Sequence, residues 1–312
     1  MNAPHTQDAV AKPVTAPLRA FPPWVRRPWP TGRAFKEVKD LLDGAALHTV
    51  CQSAHCPNQA ECWGRRTATV MVLGNVCTRH CAYCAVNSGH PAPPDPDEPQ
   101  RIAQAVRRLG LRHMVLTTVT RDDLPDQGSG HIAKTIEAVK ALNPETTIEA
   151  LVQDFDQDHD CIRRVLDAGP EVFSHNIETV ARLFPKLRDR RFSFAGALQT
   201  LRVAANAAPH TLIKSAFMVG CGETDEEVRA TLCDLRDAGC VAVSMGQYLQ
   251  PTRRHAPVVA FLPPDRFCAY EAMARDIGFP FAVAGPFVRS SYRSEALLEA
   301  PFAQAILAGR QG

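Results

Sequence analysis

From about residue 98 to about residue 250 the apolar positions switch repeatedly between two spacings. Apolar residues three and four apart, the period of a helix with one buried face, run over Glu98 to Leu109, Gly130 to Leu142, Asp158 to Ala168, Phe194 to Ala207 and Asp225 to Ala238. Between them lie short β-branched and apolar runs that predict strands: His113 to Val119, Thr146 to Val152, Val172 to Asn176, Leu212 to Val219 and Val241 to Met245. Gly110, Asn143-Pro144 and Gly169-Pro170 stop three of the helices. One more strand, Thr67 to Leu73, comes earlier and is closed by Gly74-Asn75, with a proline-rich linker from Pro91 to Pro99 after it. A helix over Phe35 to Leu42, a helix beginning within Thr179 to Leu183, a helix over Asp265 to Ile277 and a strand over Phe281 to Ala284 complete the expectation.

Six strands, each joined to the next through a helical segment, imply right-handed βαβ units and a parallel sheet. With a cysteine-rich loop after the first strand, the pattern fits an α/β partial barrel, a six-stranded (β/α)6 parallel barrel with N- and C-terminal extensions. The expected division is an extended or disordered arm over 1–34, an N-terminal extension over 35–66, the barrel over 67–250 and a C-terminal extension over 251–312. In β/α barrels the sites lie at the C-terminal ends of the strands. No sequence repeat is visible beyond the βα period.

Composition narrows the classes of function. The 312 residues are 45% hydrophobic and 22% charged, ordinary for a globular chain with a sizeable core. A net charge of +2 gives no reason to expect nucleic acid as partner. No apolar run reaches the ~18 residues of a membrane span. The N-terminus lacks a charged-then-apolar signal pattern, and Asp8 argues against a mitochondrial presequence. A cytoplasmic protein with no membrane partner is the expectation. The eleven cysteines point to a reducing compartment and metal binding rather than to a disulfide scaffold.

Six of those cysteines fall between residues 51 and 84. Cys51, Cys56 and Cys62 form Cys-x4-Cys-x5-Cys in a stretch bearing Pro57, read as a loop outside the regular core. Cys77, Cys81 and Cys84 form Cys-x3-Cys-x2-Cys just after the first strand. Thiolates select zinc, copper(I) or iron–sulfur clusters, and zinc and cluster sites normally take four protein ligands. Two sets of three each leave one metal position open. A structural zinc knuckle is the bland reading of the second trio, and His55 and His80 are alternative ligands beside the cysteines.

The second trio, with Tyr83 before its last cysteine, resembles the signature of the radical S-adenosylmethionine superfamily. Both trios together resemble the lipoyl synthase family. So do Gly64 to Gly74, Thr120 to Leu124, Phe173 to Glu178, Met218 to Thr224, Gly246 to Pro251 and Gly285 to Tyr292. The resemblance implies a 4Fe–4S cluster on Cys77, Cys81 and Cys84, its fourth iron chelated by S-adenosyl-L-methionine, from which one electron releases a 5′-deoxyadenosyl radical. It implies a second, auxiliary 4Fe–4S cluster on Cys51, Cys56, Cys62 and the oxygen of Ser291, within Arg289-Ser-Ser-Tyr292. An oxygen donor is a harder, poorer match to cluster iron than thiolate, which suits a cluster that must surrender sulfur. The implied reaction inserts sulfur at C6 and C8 of a protein-bound octanoyl-lysine, using two S-adenosylmethionine molecules. The implied partners are octanoylated lipoyl carrier proteins (2-oxo acid dehydrogenase subunits or the glycine cleavage carrier), an electron donor such as a flavodoxin or ferredoxin, and cluster-assembly proteins. The rivals are another sulfur-inserting radical enzyme of the biotin synthase kind, and a non-catalytic metal or cluster carrier.

Polar residues at the predicted strand ends include Thr118, Glu149, Asn176 and Glu178, taken as candidate contacts of S-adenosylmethionine, along with Gln153, His175 and Lys214. Asp122 and Asp123 could instead cap a helix. The turn Gly220 to Thr224 opens a helix and could offer backbone N–H groups to an acceptor. Arg188 to Arg191 and Arg253-Arg254 are basic clusters that could attract an acidic carrier.

Overall fold

The computed structural model describes residues 21–26, 32–54, 56–64 and 69–309. Most of the arm expected over 1–34 lies outside them, as do His55 and the first two residues of the strand expected from Thr67.

The N-terminal part contains α1 (Arg33–Gly44), β1 (His48–Thr49), α2 (Val50–Ser53), α3 (Gln59–Gly64) and β2 (Thr69–Val72). A small parallel pair, β3 (Val76–Cys77) with β4 (Asn87–Ser88), frames the second cysteine trio. Then the chain alternates: α4 (Glu98–Leu109), β5 (His113–Thr118), α5 (Ser129–Leu142), β6 (Thr147–Leu151), α6 (His159–Asp167) and β7 (Val172–Ser174). After α7 (Phe184–Leu187) come α8 (Phe194–Ala207), β8 (Leu212–Val219), α9 (Asp225–Asp237) and β9 (Ala242–Gln247). The C-terminal part holds α10 (Pro264–Ile277), β10 (Phe281–Gly285), α11 (Glu295–Leu298) and α12 (Pro301–Ala308).

One sheet carries the order β1-β2-β5-β6-β7-β8-β9-β10. Every pairing in it is parallel except β1 with β2. The six expected strands are therefore neighbours in chain order, with β1 and β10 added at the two edges. Alternate residues face opposite sides. On one side Met114, Leu116, Ile148, Phe173, Ile213 and Val243 join the main hydrophobic core with the helices. On the other, Glu149, Ser174 and Lys214 hydrogen-bond to one another, and His113 bonds Thr147. That side is the inside of the barrel, and it is polar.

Two local expectations are corrected. The helix expected to begin within Thr179 to Leu183 is replaced by turns, and α7 begins at Phe184 with Pro185 in its first turn, where a missing N–H costs nothing. Of the first cysteine trio only Cys56 lies in the expected loop beside Pro57; Cys51 and Cys62 sit in helices that pack on the core. Thr49 caps α2 by accepting from the Gln52 N–H, which places Cys51 in a helix at 6% exposure. Cys62 lies in α3 beside Trp63, which is fully buried and stacks on Phe35 at 5.0 Å.

The segment after β10 runs down the inside of the barrel. A Cβ on Gly246 of β9 would lie 1.9 Å from the Val288 carbonyl oxygen, so only glycine lets the segment pass there. Further along, Lys214 Nζ donates to the Ser290 carbonyl at 2.6 Å. His113 Nε2 and Ser294 Oγ are 2.9 Å apart. Leu297 and Ala303 then pack on Val172, Leu212 and Ala242, near the strand starts. The tail thus enters near the C-terminal ends of the strands and closes their N-terminal ends.

Candidate active site

The cavity at the C-terminal ends of the strands measures about 990 Å³. Its wall includes Cys51, Cys56, Cys77, Cys81, Cys84 and Ser291, so the whole second trio, two cysteines of the first and the tail serine face one chamber. Cys62 does not line it.

The loop carrying the second trio is held from several directions. Leu73 (φ 67°) and Gly74 (φ 87°) turn the chain out of β2, and buried Glu98 accepts the Leu73 N–H at 2.9 Å. Arg79 is buried; it donates to Asp122 at 2.8 Å and to fully buried Asp154 at 3.0 Å, and lies over the Phe192 ring. The backbone of Ala82 bonds Leu187 and Ala256, both at 2.8 Å. Backbone N–H groups of Arg79 and Thr120 point at Cys77 Sγ, and that of Asp189 at Cys81 Sγ, all at 3.4 Å. Such donors stabilise thiolate, the form a metal needs. Burial works the other way: it pushes the Cys84 thiol up to about 12, the Cys51 thiol up to about 11, and Cys81 upward.

Beside the trio lies a half-buried group of four, Tyr83, Asn176, Glu178 and Arg188. Arg188 donates to the Tyr83 hydroxyl at 2.9 Å and approaches Glu178 at 3.9 Å. Burial raises the Glu178 carboxyl, against the opposing pull of Arg188 and of hydrogen bonds from Asn176 and Tyr83. Glu178 sits at φ 69°, fixed by backbone bonds to Ala216 and Met218 on either side. A non-glycine residue in that region costs energy and is found mostly where a side chain must be aimed. Asn176 Oδ1, His175 Nε2 and Gln153 Oε1 are buried at the cavity wall and have no hydrogen-bond partner among the described residues. Orphaned polar atoms of this kind fit a polar ligand that completes them.

The first trio and the tail are stitched together. Asn58 donates to the Phe287 carbonyl at 2.6 Å. Glu61, on the helix of Cys62, accepts from the Tyr292 hydroxyl at 2.9 Å and from Arg293 at 3.2 Å. Arg289 lines the same chamber; burial lowers it and the neighbouring Cys56 thiol opposes that.

Among the described residues no three His, Cys, Asp or Glu side chains gather as they would on a single metal ion.

Of the expected contacts of S-adenosylmethionine, Thr118, Asn176 and Glu178 line the cavity. Glu149 does not: it is fully buried, and its carboxylate is taken by Lys214 and Ser174. Asp122 and Asp123 do not cap a helix; Asp122 pairs with Arg79 and Arg191, and Asp123 with Arg121. The turn at Gly220 has no N–H to spare at Gly220 and Cys221, because Glu223 accepts both. His80 is exposed and bonds Ser88. Of the cluster 188–191, the Arg188 side chain is turned inward and held by Tyr83 and Glu178, Arg191 is at the surface but paired with Asp189 and Asp122, and Arg190 is exposed. Arg79, Tyr83 and Arg188 are the site residues whose roles the sequence did not show. The signal for Arg79 was its place inside Cys-x3-Cys-x2-Cys.

The Radical SAM superfamily is matched over residues 71–235. Lipoyl synthase of Thermus thermophilus is 48% identical over 278 residues, covering 89% of this chain and 86% of that protein. The chain belongs to the lipoyl synthase family. Mitochondrial lipoyl synthase of Schizosaccharomyces japonicus is 43% identical over 94% of this chain and 79% of its own length, so the family's likeness spans bacteria and organelles. Among solved structures, methylornithine synthase aligns with a TM-score of 0.54 at 14% identity over 83% of this chain and 87% of its own. At that identity it shares the fold. Membership of the family removes both rivals, the biotin synthase kind and the non-catalytic carrier. No helix among the described residues is long and apolar enough to cross a membrane.

Proposed function

We propose that the chain converts a protein-bound octanoyl-lysine to the lipoyl group by inserting sulfur at C6 and C8, with the chemistry divided between two ends of one chamber. The carrying observation is that five of the six clustered cysteines and Ser291 line a single cavity. Cys77, Cys81 and Cys84 hold the reducing 4Fe–4S cluster. Cys51, Cys56, Cys62 and Ser291 hold the auxiliary cluster that gives up sulfur. When bound, S-adenosylmethionine and the reducing cluster together supply one-electron cleavage of a sulfonium and a radical able to take hydrogen from an unactivated C–H bond.

The protein's own residues position and shield. Asn176, Glu178 and Thr118 present acceptors and donors to S-adenosylmethionine, while Arg188 and Tyr83 keep the Glu178 carboxylate in place. Met71, Leu151, Phe217, Met218 and Val288 add apolar wall, which suits an octanoyl chain and excludes water from a reactive intermediate. The partners are octanoylated carrier proteins, a one-electron donor of the flavodoxin or ferredoxin kind, and cluster-assembly proteins. The reduced thiols suit a reducing compartment, the cytoplasm in this reading.

An anaerobic assay with an octanoylated peptide tests the proposal by reading product mass and 5′-deoxyadenosine together. Cys56→Ala should lose about half its iron, one of two four-iron clusters, and still form 5′-deoxyadenosine, yet insert no sulfur. Full lipoyl product from Cys56→Ala would remove the first trio from the reaction.

A further inference from the structure

Inside the barrel, below the chamber, lies a buried ion pair that the reaction as described does not use. Lys214 Nζ donates to both carboxylate oxygens of Glu149, at 3.0 and 2.8 Å. Their side chains are 2% and 0% exposed. Ser174 gives Glu149 a further hydrogen bond at 2.7 Å. A buried pair is weak evidence for stability, because desolvation cancels much of its attraction. What the pair leaves over is direction. With two protons of the ammonium turned to Glu149, the third points at the Ser290 carbonyl, 2.6 Å away.

That carbonyl belongs to the peptide joining Ser290 to Ser291. The Tyr292 N–H bonds the Arg289 carbonyl at 3.0 Å, so Arg289 to Tyr292 is a β-turn and Ser290–Ser291 is its central peptide. The two common turn types differ by a flip of that peptide, which carries the residue after it from φ of about −90° to about +80°. A flip would turn the Ser290 carbonyl away from Lys214 and towards the Ser291 Cβ, an arrangement that strains any residue but glycine, while leaving both ends of the turn where they are. The ends have their own anchors, Gly285 to Val288 before the turn and Tyr292 to Glu61 after it. Lys214 is the side chain that holds the middle.

We propose that Lys214, oriented by Glu149, is a positioning residue that anchors the central peptide of the Arg289–Tyr292 turn and so holds Ser291 in place at the chamber it shares with Cys51 and Cys56. The inference rests on Ser291 acting as a ligand of the auxiliary cluster. It reassigns Glu149 from the cofactor to the tail. Lys214 and Glu149 touch no reacting atom; they set where one ligand stands.

Two variants test it, Lys214→Met and Lys214→Met/Glu149→Gln. The second removes the unpaired buried carboxylate that the first leaves behind. In cluster-free protein, amide exchange over residues 287–293 should rise about tenfold or more in both, the loss of a charge-assisted hydrogen bond read as local opening. In the anaerobically reconstituted enzyme, iron accessible to a chelator should rise. Lipoyl product should fall at least tenfold while 5′-deoxyadenosine falls less than twofold, a split that a general loss of fold would not give. Wild-type exchange in Lys214→Met would overturn the proposal. So would full recovery in the double variant, since Lys214 would then serve only as the counter-ion of Glu149. Collapse of both variants, seen by circular dichroism, would overturn it as well, because the lysine would hold the barrel rather than the turn. Absence of lipoyl product from the wild type would instead remove the proposed function and leave the exchange result standing.

Discussion

His175 shows how the interior sets the state of a single residue. It is buried at 2% exposure, its Nδ1 is 2.9 Å from the Val152 carbonyl, and its Nε2 has no partner among the described residues. Burial, helped by Arg188, holds its pKa down at about 4, below the ordinary 6.5. The unfolded chain therefore takes up a proton before the folded chain does. The stability linked to His175 is fully present above about pH 6.5 and is lost as pH falls from there towards 4. Urea midpoints should drop through that window, and His175→Gln should show a slope shallower by about one proton; an unchanged slope would mean the imidazole is not neutral in the fold. Residues of this scale were unevenly legible. The cysteine trios stood out because closely spaced thiolates mark a metal site, whereas Ser291 was marked only by the family resemblance of Arg289 to Tyr292. Arg79 and Arg188 could not be read, because nothing local marks an arginine as buried. Their partners lie far off in the chain, 43 and 75 residues away for Arg79 and 105 for Arg188.

The elements were more legible than the way they are used. The bounds of α4, α8 and β8 agree with the periodicity residue for residue, and α4 has its stop, Gly110, written beside it. The helices around Cys51 and Cys62 were missed because they are four and six residues long, too short for a period to show. The tail was missed for another reason. Arg289 to Ser294 carries no regular pattern, and its place inside the barrel is set by the strands it passes. Gly246 is the gate in β9. Gly246→Ala puts a methyl against the Val288 carbonyl, a backbone atom with little room to yield. The helices and sheet should persist by circular dichroism, while protease sensitivity between residues 286 and 294 rises and lipoyl product falls at least tenfold. An intact tail in that variant would mean the strand can yield instead.

At the scale of the molecule, the charge left for a partner is smaller than the sequence suggested. Arg188 is spent inside the fold and the surface Arg191 is tied to Asp189 and Asp122, while Arg190, Arg253 and Arg254 are exposed. Arg253 and Arg254 follow Pro251, which lines the chamber, and precede His255, whose ring bonds the Cys84 carbonyl at 3.0 Å. Exposed charges act over about 10 Å at 0.1 M salt. Replacing both arginines with alanine should raise KM severalfold for an intact acidic octanoylated carrier and flatten its salt dependence, with little change for a neutral octanoyl peptide. Equal effects on both substrates would place these arginines in the chemistry rather than in docking. The threaded tail also sets an order of events in making the protein. Its bonds join Ser294 to His113, 181 positions earlier, and Tyr292 to Glu61, 231 positions earlier. Contacts of such high order are slow to form. On the ribosome every barrel strand emerges before the tail does. A newly made barrel therefore stands open from strand start to strand end, with water around Lys214 and Glu149, until the last of these segments slides in.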